Sequence, residues 1–580
     1  MIENLQASRD AIAGIVRGIL ASRFPGKAVP PGIVEAVVDG KGSKEEVRKA
    51  TAAAYGTEKP FELVLFDTDQ IAAYVFESSR PPVIAGASAI LRDLNREIAE
   101  AYPDWTIFSG GGEGLLLAPH GEGERIAAAI EERYRIKTGG ALSVTTGWLP
   151  IGPEELVGTP PEKEARDGVR LVAGTQAVLA RLRDRVIDKK YGRARRQTSV
   201  PGDGERCVSC RDREGTVPIA RYRDEPGMIC GPCDTRWEVG KELIAGNSFD
   251  DLVDTYRSAL ESQGAKTRYL GFLYADGNSM GALFGRLESL AALRFLSRSV
   301  SRIFEATQEI VRREVAHLIP VTEARKLPLL SYLGGGDEAI WIVPGSTAVH
   351  VAEQLPAWID AESHKIPGFL DSLHGYGSPG LTVGMGLVLC DLGYPIRYQY
   401  DLAKSLQKSA KALAHDRLPG EVASSIDYEL LTESFPLSED LATARALAYG
   451  TEDPAFLLTC RPLSAVEFGR LAKRMDQARA KELATTQLYG LQAGAAEGRA
   501  IFLNYLRYQL ARKPAGPRYL AWMRAQGCDP ATDPAAVERF FLQPAAAKPE
   551  ITGTWIADGL QLLPFLDQLH ALQAKQERRR

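Results

Sequence analysis

No apolar run in this 580-residue chain reaches the ~20 residues needed to span a bilayer. The start, MIENLQASRDAIAG, has acidic residues early and no apolar stretch of its own, which argues against a secretory leader. Cysteine is scarce: seven residues are too few for a disulfide scaffold in so long a chain. The seven histidines are scattered, and the single His-Asp pair, His415-Asp416, has no second histidine cluster to complete a metal-nuclease site. Neither charge sign prevails, with 70 Lys+Arg against 74 Asp+Glu and a net charge of −4. That excludes a general polyanion-binding surface but says nothing about a local basic groove. The balance of 45% apolar and 25% charged residues is that of a soluble globular protein, so the cytoplasm is the expected compartment. The length calls for several domains.

What the chain does contain is an internal repeat. FSGGGEGLLLAP (108–119) lies over YLGGGDEAIWIVP (332–344), LFDTDQIAAYVF (65–76) over LYADGNSMGALF (273–284), and ALSVTTGWL over GLTVGMGLV. Each copy reads β-α-β-β-α-β, the ferredoxin-like arrangement. The expected class is therefore α+β. Residues 1–60 form a short helical segment, 61–190 the first copy, 191–265 a linker with a cysteine-rich insert, 266–430 the second copy, and 431–580 a helical C-terminal domain. A long charged helix is expected from Glu162 to Lys190.

In the second copy Asp276 ends the first strand, while Asp337 and Glu338 begin the return strand of the central hairpin. The fold brings these strands side by side, so the three carboxylates gather. Like charges this close need a compensating cation. Mg²⁺ or Mn²⁺ suits an all-oxygen donor set, and two such ions promote in-line displacement at phosphorus. Gly334, Gly335 and Gly336 permit positive φ and a close backbone approach by a triphosphate. The overlay sets Glu113 on Asp337, Gly114 on Glu338 and Thr68 on Asp276, with Asp67 and Asp69 displaced to either side. The first copy thus reads as a catalytically silent half still able to hold a nucleotide.

Cys207-Val-Ser-Cys210 and Cys230-Gly-Pro-Cys233 have the spacing of a tetrahedral, structural four-cysteine zinc site; a redox pair would need only one such motif. Cys390, Cys460 and Cys528 read as small apolar residues. Lys404, Lys408 and Lys411 share one helix face, either as a phosphate-facing stripe or as a solvated charged face. The basic runs Lys189–Arg196 and Arg578–Arg580 suit RNA or protein contact, or plain solvation.

From about Phe61 to Tyr428 the chain resembles the large, polymerase-like subunit of type III CRISPR effector complexes. The likeness rests on FDTDQIAAYVFES-SRPPVIAGASAIL, the GGG hairpin at 110–112, the paired C-x-x-C knuckles, LYADGNSMG, LGGGDEAIWIV, and DLAKSLQKSAKALAH followed by SSIDYELL. It implies two palm domains flanking a zinc-bearing insert, a helical C-terminal domain, and synthesis of cyclic oligoadenylate from ATP when guide RNA pairs with a target RNA. Its implied partners are the other subunits of such a complex. Asp276, Asp337 and Glu338 would hold the metal ions, Gly335 and Gly336 would shape the phosphate turn, and Lys411 would contact a phosphate. In the silent palm, Gly111 and Gly112 would lie near nucleotide phosphates with Ser88 close by.

The family's hairpin usually ends in two aspartates, whereas here it ends Asp337-Glu338. GGDE also resembles diguanylate cyclases, so a cyclic dinucleotide from GTP is a competing product, and a catalytically weak scaffold is a third reading. Many family members begin with an HD nuclease domain; residues 1–60 contain no histidine, so no DNase activity is expected of this chain.

Overall fold

Three helices open the chain: α1 (Leu5–Arg23), α2 (Pro31–Asp39) and α3 (Lys44–Tyr55). The Asn4 side chain caps α1 by accepting a hydrogen bond from Ala7 N at 2.8 Å, and Ser43 caps α3. The computed structural model describes residues 4–56, 59–158, 173–192, 204–222, 225–244, 248–249, 251, 254, 269–319, 327–417, 423–432, 440–533, 535–546 and 548–578. The stretch 162–172 of the expected charged helix, Arg193–Arg196 of the basic linker and the last two arginines lie outside these residues.

The first palm comprises β1 (Phe61–Thr68), α4 (Ile71–Val75), α5 (Pro81–Ala101), β2 (Thr106–Gly110), β3 (Glu113–Pro119), α6 (Gly123–Lys137), β4 (Val144–Ile151) and α7 (Gly174–Gly192). Its sheet runs β2-β3-β1-β4, with β1 antiparallel to both neighbours. Phe61–Phe66 is apolar but for Glu62 and fully buried, as expected of an inner strand covered on both faces. The insert follows, with β5 (Val217–Pro218), β6 (Met228–Ile229) and α8 (Gly231–Gly240).

The second palm repeats the order: β7 (Tyr269–Gly277), α9 (Met280–Phe284), α10 (Leu290–Leu318), β8 (Leu330–Gly335), β9 (Glu338–Pro344), α11 (Gly345–His364), α12 (Phe369–Gly375), β10 (Val383–Asp391), α13 (Ile396–Arg417) and β11 (Ser425–Leu430). The C-terminal part adds α14 (Leu441–Tyr449), β12 (Phe456–Leu457), β13 (Leu463–Ser464), α15 (Ala465–Ala480), α16 (Thr485–Ala496), α17 (Arg499–Ala511), α18 (Ala515–Ala525), α19 (Ala536–Phe541), β14 (Leu542–Ala545), β15 (Lys548–Thr554) and α20 (Ile556–Glu577).

This α+β architecture matches the expected class, with one refinement. The part expected to be helical carries a small sheet, β12-β15-β14, and lends β13 to the palm, whose sheet runs β13-β11-β10-β7-β9-β8. Arg461, just before β13, forms buried ion pairs with Glu429 of β11 and Asp558 of α20, welding this part to the palm. Among the described residues no helix is long and apolar enough to cross a membrane.

Candidate functional site

Alternation along β7 puts Phe272, Tyr274 and Asp276 on one face of the sheet. On the neighbouring strand β10 that face shows Gly386 opposite Tyr274 and Gly384 opposite Asp276. A Cβ on Gly386 would stand 2.0 Å from Ala403 O, and one on Gly384 would stand 2.6 Å from Lys411 Cγ. Both glycines are therefore required for α13 to lie this close to the sheet. The close approach carries Lys411 Nζ to 2.7 Å and Gln407 Nε2 to 3.2 Å from Asp276 Oδ2. Of the expected lysine stripe, Lys411 reaches the site directly and Lys404 acts on Glu338 through its charge, while Lys408 is exposed.

Asp276 pairs with Glu338 across β7 and β9. Asp337 occupies the turn, where its carbonyl accepts a hydrogen bond from Gly277 N at 3.0 Å. Burial and then the nearby Asp276 charge push the Asp337 carboxyl up to about 7, although Lys411 opposes the rise. Burial also raises Glu338; the hydrogen bond it receives from the Tyr274 hydroxyl opposes this, as do the charges of Lys404 and Lys411. Tyr274 and Gln407 are thus parts of the site that the sequence did not single out as such. Tyr274 stands two residues before Asp276, so strand alternation alone would have found it.

The three carboxylates share one corner of the sheet but are not drawn tightly together. Among the described residues the four knuckle cysteines are the only group of three or more potential ligands whose atoms all lie within 4.8 Å of one another. Asp276 turns toward Lys411, and its charge contributes to the raised pKa of both Asp337 and Glu338. The donors are all oxygen and their charges crowd one another, so Mg²⁺ or Mn²⁺ fits here in kind.

The first palm requires a correction to the sequence overlay. Its strands set Asp67 opposite Glu113, the same register that sets Asp276 opposite Glu338. Thr68 N donates to Gly112 O as Gly277 N donates to Asp337 O. Gln70, at φ 51°, precedes α4 as Ser279, at φ 55°, precedes α9. The counterparts are thus Asp67 for Asp276, Glu113 for Glu338 and Gly112 for Asp337. Anchoring the overlay on the glycine run slipped it by one, because the first hairpin has one acidic residue fewer after its glycines. The first palm lacks one carboxylate at these positions, not two. Lys190 Nζ lies 2.6 Å from Asp67 Oδ2 and 3.0 Å from Asp69 Oδ1, so an ammonium sits among its acids.

A cavity of ≈ 700 Å³ opens between the two hairpins, lined by Gly110, Glu113 and Arg183 on one side and Arg302, Gly336 and Asp337 on the other. Its size suits a small-molecule ligand. Ser301 of α10 stands between the hairpins: a Cβ on Gly336 would come within 2.9 Å of its Oγ, and one on Gly110 within 3.5 Å. Of the residues expected near phosphates, Gly336 lines this cavity, whereas Gly111, Gly112, Lys411 and Ser88 do not. Gly335 ends β8, paired with Glu338. Gly111 and Gly112 have φ of 64° and 85°, so they serve the turn itself. Ser88 lies on α5, the helix that crosses the insert.

Cys207, Cys210, Cys230 and Cys233 are all buried and converge, with Cys210 Sγ 3.8 Å from Cys230 Sγ. Cys207 Sγ accepts hydrogen bonds from Ser209 N and Cys210 N, and Arg236 Nη2 donates to Cys233 Sγ at 2.9 Å. Four converging sulfurs with N–H and guanidinium donors around them fit a closed tetrahedral Zn²⁺ site.

Residues 269–418 match the family model described as Cas10/Cmr2, second palm domain. No curated protein matches the chain. Among solved structures it is similar to a Csm1–Csm4 cassette in complex with cA4, at 15% identity and TM-score 0.48 over 93% of this chain and 72% of that one. Csm1 of T. onnurineus is similar at 15% identity and TM-score 0.46, over 90% and 73%. A Csm1–Csm4 cassette in complex with one ATP is similar at 15% and 0.44, over 88% and 70%. The family assignment rests on the matched domain, whose span takes in Asp276, Asp337, Glu338 and Lys411. The chain carries the second palm domain of the Cas10/Cmr2 family.

Proposed function

We propose that this protein is a nucleotidyltransferase that builds cyclic oligoadenylate from ATP within a type III CRISPR effector complex. The observation that carries the reading is Asp276 facing Glu338 across β7 and β9, with Asp337 beside them in the turn, inside a Cas10/Cmr2-type palm. The residues to hold divalent cations are these three. Bound Mg²⁺ or Mn²⁺ would supply charge neutralisation at the phosphates and a more acidic attacking hydroxyl.

The chain's own contribution is placement. The β7–β9 pairing holds the carboxylates at the cavity end of the sheet. Gly336 keeps the approach free of a Cβ, and Lys411 stands ready to exchange Asp276 for a phosphate oxygen. In the reaction a 3′-hydroxyl oxygen bonds to the α-phosphorus and the bond to the β-phosphate oxygen breaks. Pyrophosphate leaves, and the hydroxyl proton passes to water. Other effector subunits, guide RNA and target RNA are the proposed partners, with the four-cysteine insert holding a structural zinc.

One observation favours a scaffold instead: Lys411 sits on Asp276 much as Lys190 sits on the acids of the silent palm. Labelled ATP or GTP with Mn²⁺, with and without RNA-loaded partner subunits, separates the readings when products are resolved by mass. Cyclic adenylates that vanish in Asp337→Ala, Glu338→Ala support the enzyme, and a product from GTP supports the diguanylate type. No consumption of either nucleotide in any mixture leaves the scaffold.

A further inference from the structure

Between α4 and α5 the chain turns through Phe76, Glu77 and Ser78. Phe76 belongs to the first palm but leaves it, and its ring is buried against the second. It stacks on Tyr400 of α13 with centroids 5.0 Å apart and meets Phe272 of β7 at 5.5 Å and Tyr332 of β8 at 6.2 Å. Tyr400 in turn lies 5.9 Å from Tyr274, ring to ring. Tyr274 shares a sheet face with Asp276, two residues on, and Asp276 pairs with Glu338 across β7 and β9. A continuous set of ring contacts thus runs from Phe76 to Tyr274, beside the carboxylates of the metal site.

The residues flanking Phe76 are held by the cysteine insert. Arg236, which also donates to Cys233 Sγ, donates to Tyr74 O at 2.7 Å and lies over the Tyr74 ring at 4.7 Å. The Glu77 carboxylate pairs with both Arg236, at 2.7 Å, and Arg213. Ser78 Oγ meets Ser209 Oγ, between two of the cysteines, at 2.7 Å. Helix α8 is locked onto α5: a Cβ on Gly86 would stand 1.8 Å from Arg236 O, and one on Gly240 the same distance from Pro82 O. Two ion pairs and several hydrogen bonds therefore fix the backbone on both sides of one aromatic ring, and stacked rings prefer a narrow range of offsets.

We propose that Phe76 is a positioning residue for the second palm's metal site, set by the four-cysteine insert and acting through Tyr400 and Tyr274 on Glu338. The proposal rests on the two-metal reading of that palm. It gives the insert a part in the site's geometry beyond holding its own fold. Outer partners of metal ligands commonly govern affinity in this way.

The test is Mn²⁺ binding to the full chain, followed by electron paramagnetic resonance, together with zinc content and melting temperature. Wild type should bind Mn²⁺ and Asp276→Asn should lose it. Phe76→Ala should bind about 10-fold more weakly with its zinc retained, a loss of the size seen for outer partners. Phe76→Leu, which keeps the bulk and loses the stack, should fall between, and Tyr274→Phe should reproduce Phe76→Ala without adding to it. A lower melting temperature with wild-type Mn²⁺ affinity in both Phe76 variants assigns Phe76 to packing alone and overturns the proposal. If wild type binds no Mn²⁺ that Asp276→Asn removes, the two-metal reading itself fails and the proposal falls with it.

Discussion

Lys411 Nζ lies 2.7 Å from Asp276 Oδ2, joining the helix that covers the palm to the carboxylate that ends its central strand. Lys190 does the same to Asp67 in the other palm, at 2.6 Å. In both copies the helix after the fourth strand delivers a cation to the same corner. What separates the copies is the turn, where Asp337 in one is Gly112 in the other.

That difference sets the first prediction. Asp337→Ala should cut nucleotide consumption by about 10²–10³-fold, the value of several kcal/mol of lost charge stabilisation, with the fold kept. Single-turnover rates beside circular dichroism check this.

Asp337 also predicts a pH dependence. Its carboxyl is raised to about 7 from the ordinary 3.8 by burial and by Asp276. A raised carboxyl contributes stability that is present below the ordinary value and lost as pH climbs through the folded one. Chelator-treated protein should therefore lose melting temperature from about pH 4 to about pH 7 through this group, and Asp337→Asn should lose less. Cation binding has the opposite sign: Mn²⁺ affinity should rise across pH 7 as the proton leaves. Melting curves and Mn²⁺ titrations at several pH values test both.

The knuckles should hold one zinc per chain, measured by elemental analysis. Cys207→Ser should abolish it and lower the melting temperature, because zinc bound by the four buried sulfurs adds its binding free energy to folding.

Gly386→Ala tests the approach of α13. A methyl 2.0 Å from Ala403 O forces the helix outward, at a cost of about 1–3 kcal/mol in urea unfolding. The same shift should draw Lys411 from Asp276 and weaken nucleotide binding.

Arg461 tests the joint with the C-terminal part. Its guanidinium is wholly buried with Glu429 and Asp558, so Arg461→Met removes the ion-pair partner of Asp558, leaves Glu429 to Arg445 and should cost about 3–5 kcal/mol. Limited proteolysis should then release fragments from beyond Leu430.

Much of the fold was legible in the chain because its signals are local. Strand period, the glycine turns and the C-x-x-C spacing predict β1–β4, β7–β10 and the converging sulfurs. The identities of Asp276, Asp337 and Glu338 as candidates followed from their places at strand ends. The overlay of the two hairpins slipped by one residue, since register is set by pairing with β1 and β7, and the glycine run carries no record of it. The small sheet of the C-terminal part was missed because β12, of two residues, and β14, of four, are too short to leave a periodic pattern.

The sequence by itself determined the class, the repeat, the cysteine knuckles and the acidic corner of the second palm. Those follow from residue type and spacing along the chain. Only the tertiary structure decided that Asp67 and Glu113 are the counterparts of Asp276 and Glu338, that Lys411 lies on Asp276, and that Phe76 crosses from one palm into the other. These are contacts between segments far apart in the chain. They are set by how closely glycine-faced strands let helices approach and by which surfaces the two palms bury together.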